Sequence, residues 1–441
     1  MHYDRVDEKI PVQYHPSSGF QKYNVQYVVS ELTVIVVGAG IVGASSALAL
    51  QRDGHKVILI DREAPCAGAS FGNAGAIVNA SCAPTAMPGI VIDALRMLGQ
   101  PLAPLSIRPA YLPRLLPWML RFALESRRSK VVENARNLHA LTRHSIKGWR
   151  ELTRATELEK HLYDGGWLTV YESESSFAKS AYERELEDAN NAPYEILSDT
   201  DIRDLEPNLA PIFQYGIFNR DSLRITNPQR LVQGMVDLLI ARGGSYKRFN
   251  VQAMDLQGPQ ILLKNGSSSM SCDKVVIAAG AWSKPLARQA GDRLPLETER
   301  GYHLMLPVES SRLLSRPVLN AESNCVLVPM ESGLRLTGQD ELASVEAPPD
   351  YRRIRRLLPA AKRMLPGIDA TEQSVWMGCR PSLPDSLPVI GLAKRNSNVV
   401  YAFGHQHLGM TMGPATGLIV ADLIAGRDPG IDLTPYRPGR Y

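Results

Sequence analysis

Residues 34–61 constrain the chain more than any other stretch. Val34-Ile35-Val36-Val37 is a β-branched run that stops at Gly38-Ala39-Gly40-Ile41-Val42-Gly43. An Ala- and Leu-rich segment, Ala44 to Arg52, follows and ends at Asp53-Gly54; a second apolar run, Val57 to Ile60, closes on Asp61. This order reads as strand, glycine turn, helix and strand, one complete βαβ unit. Each glycine has a distinct mechanical role. Gly38 makes the tight turn, Gly40 lets the backbone approach a pyrophosphate, and Gly43 permits close helix–strand packing. The helix N-terminus at Ile41 and Val42 then meets the phosphates. Asp61, about 20 residues on, is placed to accept hydrogen bonds from a ribose hydroxyl.

The fingerprint is shared by FAD and NAD sites, so the rest of the chain has to discriminate. After Asp61 come Arg62-Glu63-Ala64-Pro65 and then Ala69-Ser70-Phe71-Gly72-Asn73-Ala74-Gly75, a small-residue loop too long for a plain connection. Small residues let a backbone lie against a flat ring. Far downstream, Asp273 to Ser283 reads as a buried strand running into the turn Ala278-Ala279-Gly280-Ala281. Val399 to Phe403 is another strand, followed by Gly404-His405-Gln406-His407-Leu408-Gly409-Met410-Thr411 and a helix expected over Ala415 to Ile424, with Pro414 at its start.

A chain of 441 residues, 44% hydrophobic and 21% charged, can bury a large core and should form two domains. Its net charge of +4 is spread along the chain and gives no reason to invoke nucleic acid. The five cysteines (Cys66, Cys82, Cys272, Cys325, Cys379) are odd in number, widely separated and never in a CxxC pair, which argues against a disulfide framework or a metal site and for a reducing, cytoplasmic compartment. Residues 1–32 are polar and show no secretion signal; they are read as an N-terminal extension without assigned function.

These motifs, taken in order, resemble the D-amino-acid oxidase superfamily of flavoproteins over about residues 33 to 430, specifically its bacterial branch of D-amino-acid and D-hydroxyproline dehydrogenases, with glycine and sarcosine oxidases as cousins. The resemblance also rests on Asn227-Pro228 before a helix, Gly243-Gly244, and Gly391 preceded by Arg380-Pro381-x-x-Pro384-Asp385-x-x-Pro388. It implies an α/β fold: a Rossmann-type, glutathione-reductase-like FAD-binding domain (33–100, 210–290, 376–430) with an interleaved α+β substrate domain (101–209, 291–375) carrying a mixed or antiparallel sheet, and a tail over 431–441. Gly38, Gly40, Gly43, Asp61 and Arg62 would hold the ADP half of FAD, and Ser70, Gly72, Asn73, Ala74 and Gly75 would line the ribityl and isoalloxazine. Val251 resembles the residue whose backbone meets the adenine, and Ala279 and Gly280 belong to the same cofactor set. The loop from Gly404 to Thr411 would aim amides and a helix N-terminus at the flavin. Many relatives carry glycine where this chain has Gln406, which puts close backbone approach there in question.

For the substrate, the resemblance implies a carboxylate clamp: Arg380, able to grip bidentately, and Tyr302 as a hydroxyl donor from a neighbouring strand. The competing readings are a structural ion pair for Arg380 and a core aromatic for Tyr302. His407 sits in the flavin loop, where it would contact a substrate hydroxyl or ring nitrogen, or else be a satisfied structural imidazole; His303 and His405 rank below it. No residue is marked as the base. Cys379 is adjacent to Arg380, but the alternation of a strand sends it to the opposite face, so FAD is expected to be non-covalent. The expected reaction is dehydrogenation of a small D-amino or D-imino acid, D-hydroxyproline or D-proline favoured, with hydride passing from Cα to flavin N5. The alternatives are a glycine- or sarcosine-type oxidase producing peroxide, and a flavin-binding subunit active only within a complex. Electrons would pass to a quinone, a respiratory chain or another subunit. The insertion from Pro101 to Arg121 is apolar but broken by prolines and arginines; it is too interrupted to cross a membrane and reads either as a peripheral membrane-docking surface or as a lid.

Overall fold

The computed structural model describes residues 31–90 and 105–441; the N-terminal extension up to residue 30 and the beginning of the 101–121 insertion lie outside the described residues. The first βαβ unit forms where the sequence places it, with strand Thr33–Val37, helix Ile41–Arg52 and strand Lys56–Asp61. The first strand is buried on both faces, which is why it reads as an unbroken apolar run. It lies inside a six-stranded sheet ordered Ser245–Arg248, Lys56–Asp61, Thr33–Val37, Lys274–Ile277, Val399–Phe403 and Val389–Leu392. All neighbours are parallel except the last pair. The turn that ends the first strand admits no side chain. Gly38 has φ +112°, and a Cβ there would stand 2.4 Å from the carbonyl oxygen of Ala278.

The second sheet has nine strands and is mixed. Its path runs Ser374–Ser382, Glu297–Leu306, Gly333–Leu342, Cys325–Met330, Val318–Asn320, Trp167–Tyr171, Tyr215–Asn219 and Glu195–Ser198, with Leu105–Ile107 pairing alongside Gly333–Leu342. Two of these strands cross the expected division. Tyr215–Asn219 and Ser374–Ser382 fall wholly or mainly within the stretches expected to bind the nucleotide, yet both hydrogen-bond into the larger sheet. The reverse also occurs. The helix Ser145–Thr153, expected in the substrate portion, packs through Trp149 into the core around the first βαβ unit. The segment 431–441 is not a loose tail: Tyr436 is buried and Arg440 pairs with Asp385 at 2.6 Å.

The C-terminal helix runs Gly409–Ala425, six residues earlier than expected, and so contains Pro414 rather than starting at it. A proline at that depth lacks the N–H that would bind the carbonyl of Met410. The orphaned carbonyl is satisfied from elsewhere. The indole Nε1 of the fully buried Trp149 donates to Met410 O at 2.9 Å, so a tertiary contact permits a helix start that local sequence argues against. Trp149→Phe should therefore destabilise the protein by about 1–3 kcal/mol, the cost of an unpaired buried carbonyl and a lost hydrogen bond. Urea unfolding checks this, and an unchanged midpoint would remove the indole from the account.

Candidate functional site

A cavity follows the carboxyl end of the six-stranded sheet. It is lined by Gly38, Gly40, Ile41 and Val42 of the first turn, by Asp61 and Arg62, by Ser70 and Asn73, by Val251, Ala279 and Gly280, and by Gly404, His405, Gln406, Gly409 and Met410. The structure thus brings together residues from widely separated stretches. Asp61 first organises the protein itself: its two oxygens accept from Ala39 N at 2.7 Å and Glu63 N at 2.9 Å, fixing the glycine turn against the second strand. The Arg62 guanidinium lies 4.0 Å over the Trp282 ring, adding an aromatic wall beside the Gly280 turn. Ser70 Oγ accepts from Ile41 N at 3.0 Å and ties the small-residue loop to the helix start. Helix N-termini at Ile41 and Gly409, a carboxylate and a long small-residue wall suit an elongated anionic dinucleotide.

The remaining expected cofactor residues support the cavity rather than line it. Gly43 packs under Gly38, Gly75 donates its amide to Asn73 Oδ1 at 2.7 Å, and Ala74 packs with Met305 and Val328. Leu408 is buried with Leu138 and Leu387, and Thr411 Oγ1 accepts from Val78 N at 3.3 Å. Gln406 adopts the left-handed backbone that favours glycine, φ +49°, while its side chain turns into the protein, donating to Leu383 O at 3.2 Å and accepting from Thr85. The glycine-like conformation is therefore kept by a residue that is not glycine. Cys379 does lie opposite Arg380, as alternation requires, but the face it occupies lines the cavity within electrostatic reach of Arg62; burial holds its thiol pKa above the ordinary range.

A second recess adjoins the loop from Gly404 to Thr411, on the face of the nine-stranded sheet formed by two paired strands. Their register sets Glu299 opposite Arg380, Gly301 opposite Gly378 and His303 opposite Trp376. The paired glycines make the room. Arg380 folds flat over Gly301, where a Cβ would come within 2.5 Å of Nη2, and Trp376 folds over Gly378 and Gly72. Trp376 stacks on His303 at 5.1 Å and Phe71 packs against both rings. Arg380 Nη1 donates to Glu299 Oε1 at 3.1 Å and to Asp340, while its Nε–Nη2 edge meets no protein acceptor among the described residues. His407 opens into this recess beside Arg380 and Asp340, and its backbone carbonyl accepts from Asn73 Nδ2 at 3.3 Å.

Tyr302 corrects the expectation of a two-residue clamp. One position from Gly301, its side chain enters the opposite face, where it is buried in the sheet core and its hydroxyl donates to Glu341 at 2.6 Å. Arg300 also donates to Glu341, at 2.9 Å. The core-aromatic reading of Tyr302 is the one realised.

Two residues of the site carry no mark in the sequence. Asp340 stands beside Arg380, and Arg335 is 5% exposed yet meets no carboxylate among the described residues. Arg335 donates instead to the carbonyls of Phe71 (3.3 Å) and Asn73, clamping the small-residue loop to the large sheet; burial lowers its pKa to about 10. Neither belongs to a motif, and no local signal singles them out.

The fold and cavity define a dinucleotide-binding oxidoreductase. The chain belongs to the family of FAD dependent oxidoreductases known as DAO, whose model matches residues 33–423. FAD is accordingly the cofactor of this protein. A D-amino-acid oxidase of Bradyrhizobium diazoefficiens is 34% identical over 92% of this chain and 98% of its own length. A D-amino acid dehydrogenase of Sinorhizobium medicae is 30% identical over 93% and 100%. Among solved structures, the glycine oxidase of Geobacillus kaustophilus shares the fold with a TM-score of 0.70 at 21% identity, covering 93% of this chain and 99% of that one.

Burial keeps His303 and His405 neutral, lowering their pKa values to about 3; the pKa of His407, which is exposed at the recess, is lowered less. Unfolded, each would titrate near 6.5, so below that pH the unfolded chain takes up protons the folded chain refuses. Stability should be full above pH 6.5 and fall as pH drops towards 4, at up to roughly 1.4 kcal/mol per pH unit for each of the enclosed imidazoles, His303 and His405. His407, open to the recess, contributes less because solvent screens it. Urea midpoints of the flavin-loaded protein across this range measure the effect. A flat profile would mean the imidazoles ionise in place.

Proposed function

We propose that this protein oxidises a small D-amino or D-imino acid, taking hydride from Cα and a proton from nitrogen to leave an imine. FAD, when bound, supplies the hydride acceptor. The observation that carries the reading is Arg380, a guanidinium beside the flavin loop with a free bidentate edge, which suits a substrate carboxylate. The relatives' names, D-amino-acid oxidase and D-amino acid dehydrogenase, support the same substrate class. D-Hydroxyproline and D-proline are the favoured members, because a ring would pack on Trp376 while a hydroxyl meets the neutral His407. Cys379, a buried thiol held protonated, favours non-covalent FAD. Anaerobic addition of D-amino acids and both hydroxyproline epimers should bleach the flavin absorbance. Slow recovery in air would identify a dehydrogenase, and fast recovery an oxidase such as the Bradyrhizobium relative is named. No bleaching by any of them would refute the reading.

The electron acceptor we favour is a quinone at the inner face of a membrane, reached by peripheral contact from the cytoplasm. No helix among the described residues is long and apolar enough to cross a bilayer. The helix Leu112–Glu125 supports a surface contact: Leu112, Leu116, Leu120 and Leu124 repeat every four residues and are 42%, 51%, 61% and 48% exposed, with Arg114 and Arg121 exposed between them. Leu115 and Trp118 face inward instead. Such a stripe suits an anionic lipid surface. The protein should co-sediment with vesicles containing phosphatidylglycerol, and L116E/L120E should release it. Equal binding of both forms would refute the contact.

A further inference from the structure

The charges in the Arg380 recess do not balance. Glu299 by itself already balances the charge of Arg380, and its second oxygen accepts from Ser382 Oγ at 3.3 Å. Asp340 is a further carboxylate on the same guanidinium nitrogen, only half-buried, using one oxygen on Arg380 and leaving the other without a protein donor among the described residues. A second carboxylate does not help an arginine hold a substrate carboxylate; it weakens the pull. It therefore calls for a cation that no other side chain among the described residues supplies. His407, the other titratable group facing Asp340, is neutral and supplies none.

We propose that Asp340 receives the substrate's ammonium group and takes the proton it must shed, so that the recess reads both ends of an amino acid. The proposal rests on the amino-acid reading above. A carboxylate on the Nε–Nη2 edge of Arg380 and an ammonium one carbon away match a guanidinium whose remaining nitrogen already holds the aspartate. In the step itself one N–H bond of the ammonium breaks, the electron pair stays on nitrogen, and the proton passes to the free oxygen of Asp340. The C=N bond can then form as Cα gives up hydride, for which FAD, when bound, would supply the acceptor. Burial raises the pKa of Asp340 above the ordinary carboxylate range, which makes it a better proton acceptor than a surface aspartate. Glu299 acts at one remove, as a positioning residue that orients Arg380.

The test uses two ligands of one shape that cannot lose hydride: 2-aminoisobutyrate and 2-hydroxyisobutyrate. Binding to the FAD-loaded protein is read by perturbation of the flavin absorbance. The wild type should prefer the amine, and Asp340→Asn should cut that preference by at least about tenfold, through weaker binding of the amine alone. Glu299→Gln should weaken both ligands together. Asp340→Ser, measured the same way, serves if the asparagine form loses its flavin. A preference unchanged in the Asp340 variants, or loss of both ligands in step, overturns the inference while leaving amino-acid oxidation intact. A wild type that binds neither ligand and is bleached by no amino acid overturns both together.

Discussion

The structure depends on a steric constraint at the end of its first strand. Between Gly38 and Gly43 the chain must turn from sheet to helix so tightly that a Cβ on Gly43 would stand 1.7 Å from the carbonyl oxygen of Gly38. Only that compactness brings the helix N-terminus to the strand ends, and other elements are hung from it. Asp61 grips the turn through Ala39, Ser70 ties the small-residue loop to Ile41, and Gly413 of the C-terminal helix lies against Ile41. The loop is held again at its far end by Arg335, a cation of the other sheet. The cavity is thus walled by elements that a few polar contacts tie to one turn.

What is legible in the sequence is what is local. The βαβ unit, the helix that begins after Asn227 and the strand before Gly404 follow from residue order and short-range chemistry. Facing is not legible. Tyr302 and Arg380 come from different strands, and which face each presents depends on a register that no single strand encodes; a shift at Tyr302/His303 complicates even simple alternation. Asp340 and Arg335 lie on a third strand with nothing local to mark them. The start of the C-terminal helix escapes the sequence for the same reason, since the donor that tolerates Pro414 sits on Trp149, 261 residues from the carbonyl it meets.

The two recesses differ in how they handle charge. In the dinucleotide cavity the positive ends come mostly from backbone, from helix termini and turn amides that cannot titrate. In the recess beside Arg380 they come from side chains, with Arg380 between two carboxylates and the imidazoles kept neutral by burial. Fixed dipoles suit a cofactor that stays. Titratable groups suit a ligand that arrives charged and leaves changed.

The order of strands in the six-stranded sheet sets a schedule for the growing chain. Thr33–Val37 has Lys56–Asp61 on one side soon after synthesis, but its other neighbour is Lys274–Ile277, a pairing closed off by a hydrogen bond from the Thr33 amide to the side chain of Asp273, 240 residues later. The loop that completes the cavity comes later still, at Gly404 to Met410. During translation the first strand must therefore wait with one apolar edge unpaired, the situation in which a chain is most prone to wrong partners. No ligand of that cavity can shorten the wait, because the cavity does not exist until most of the chain has been made.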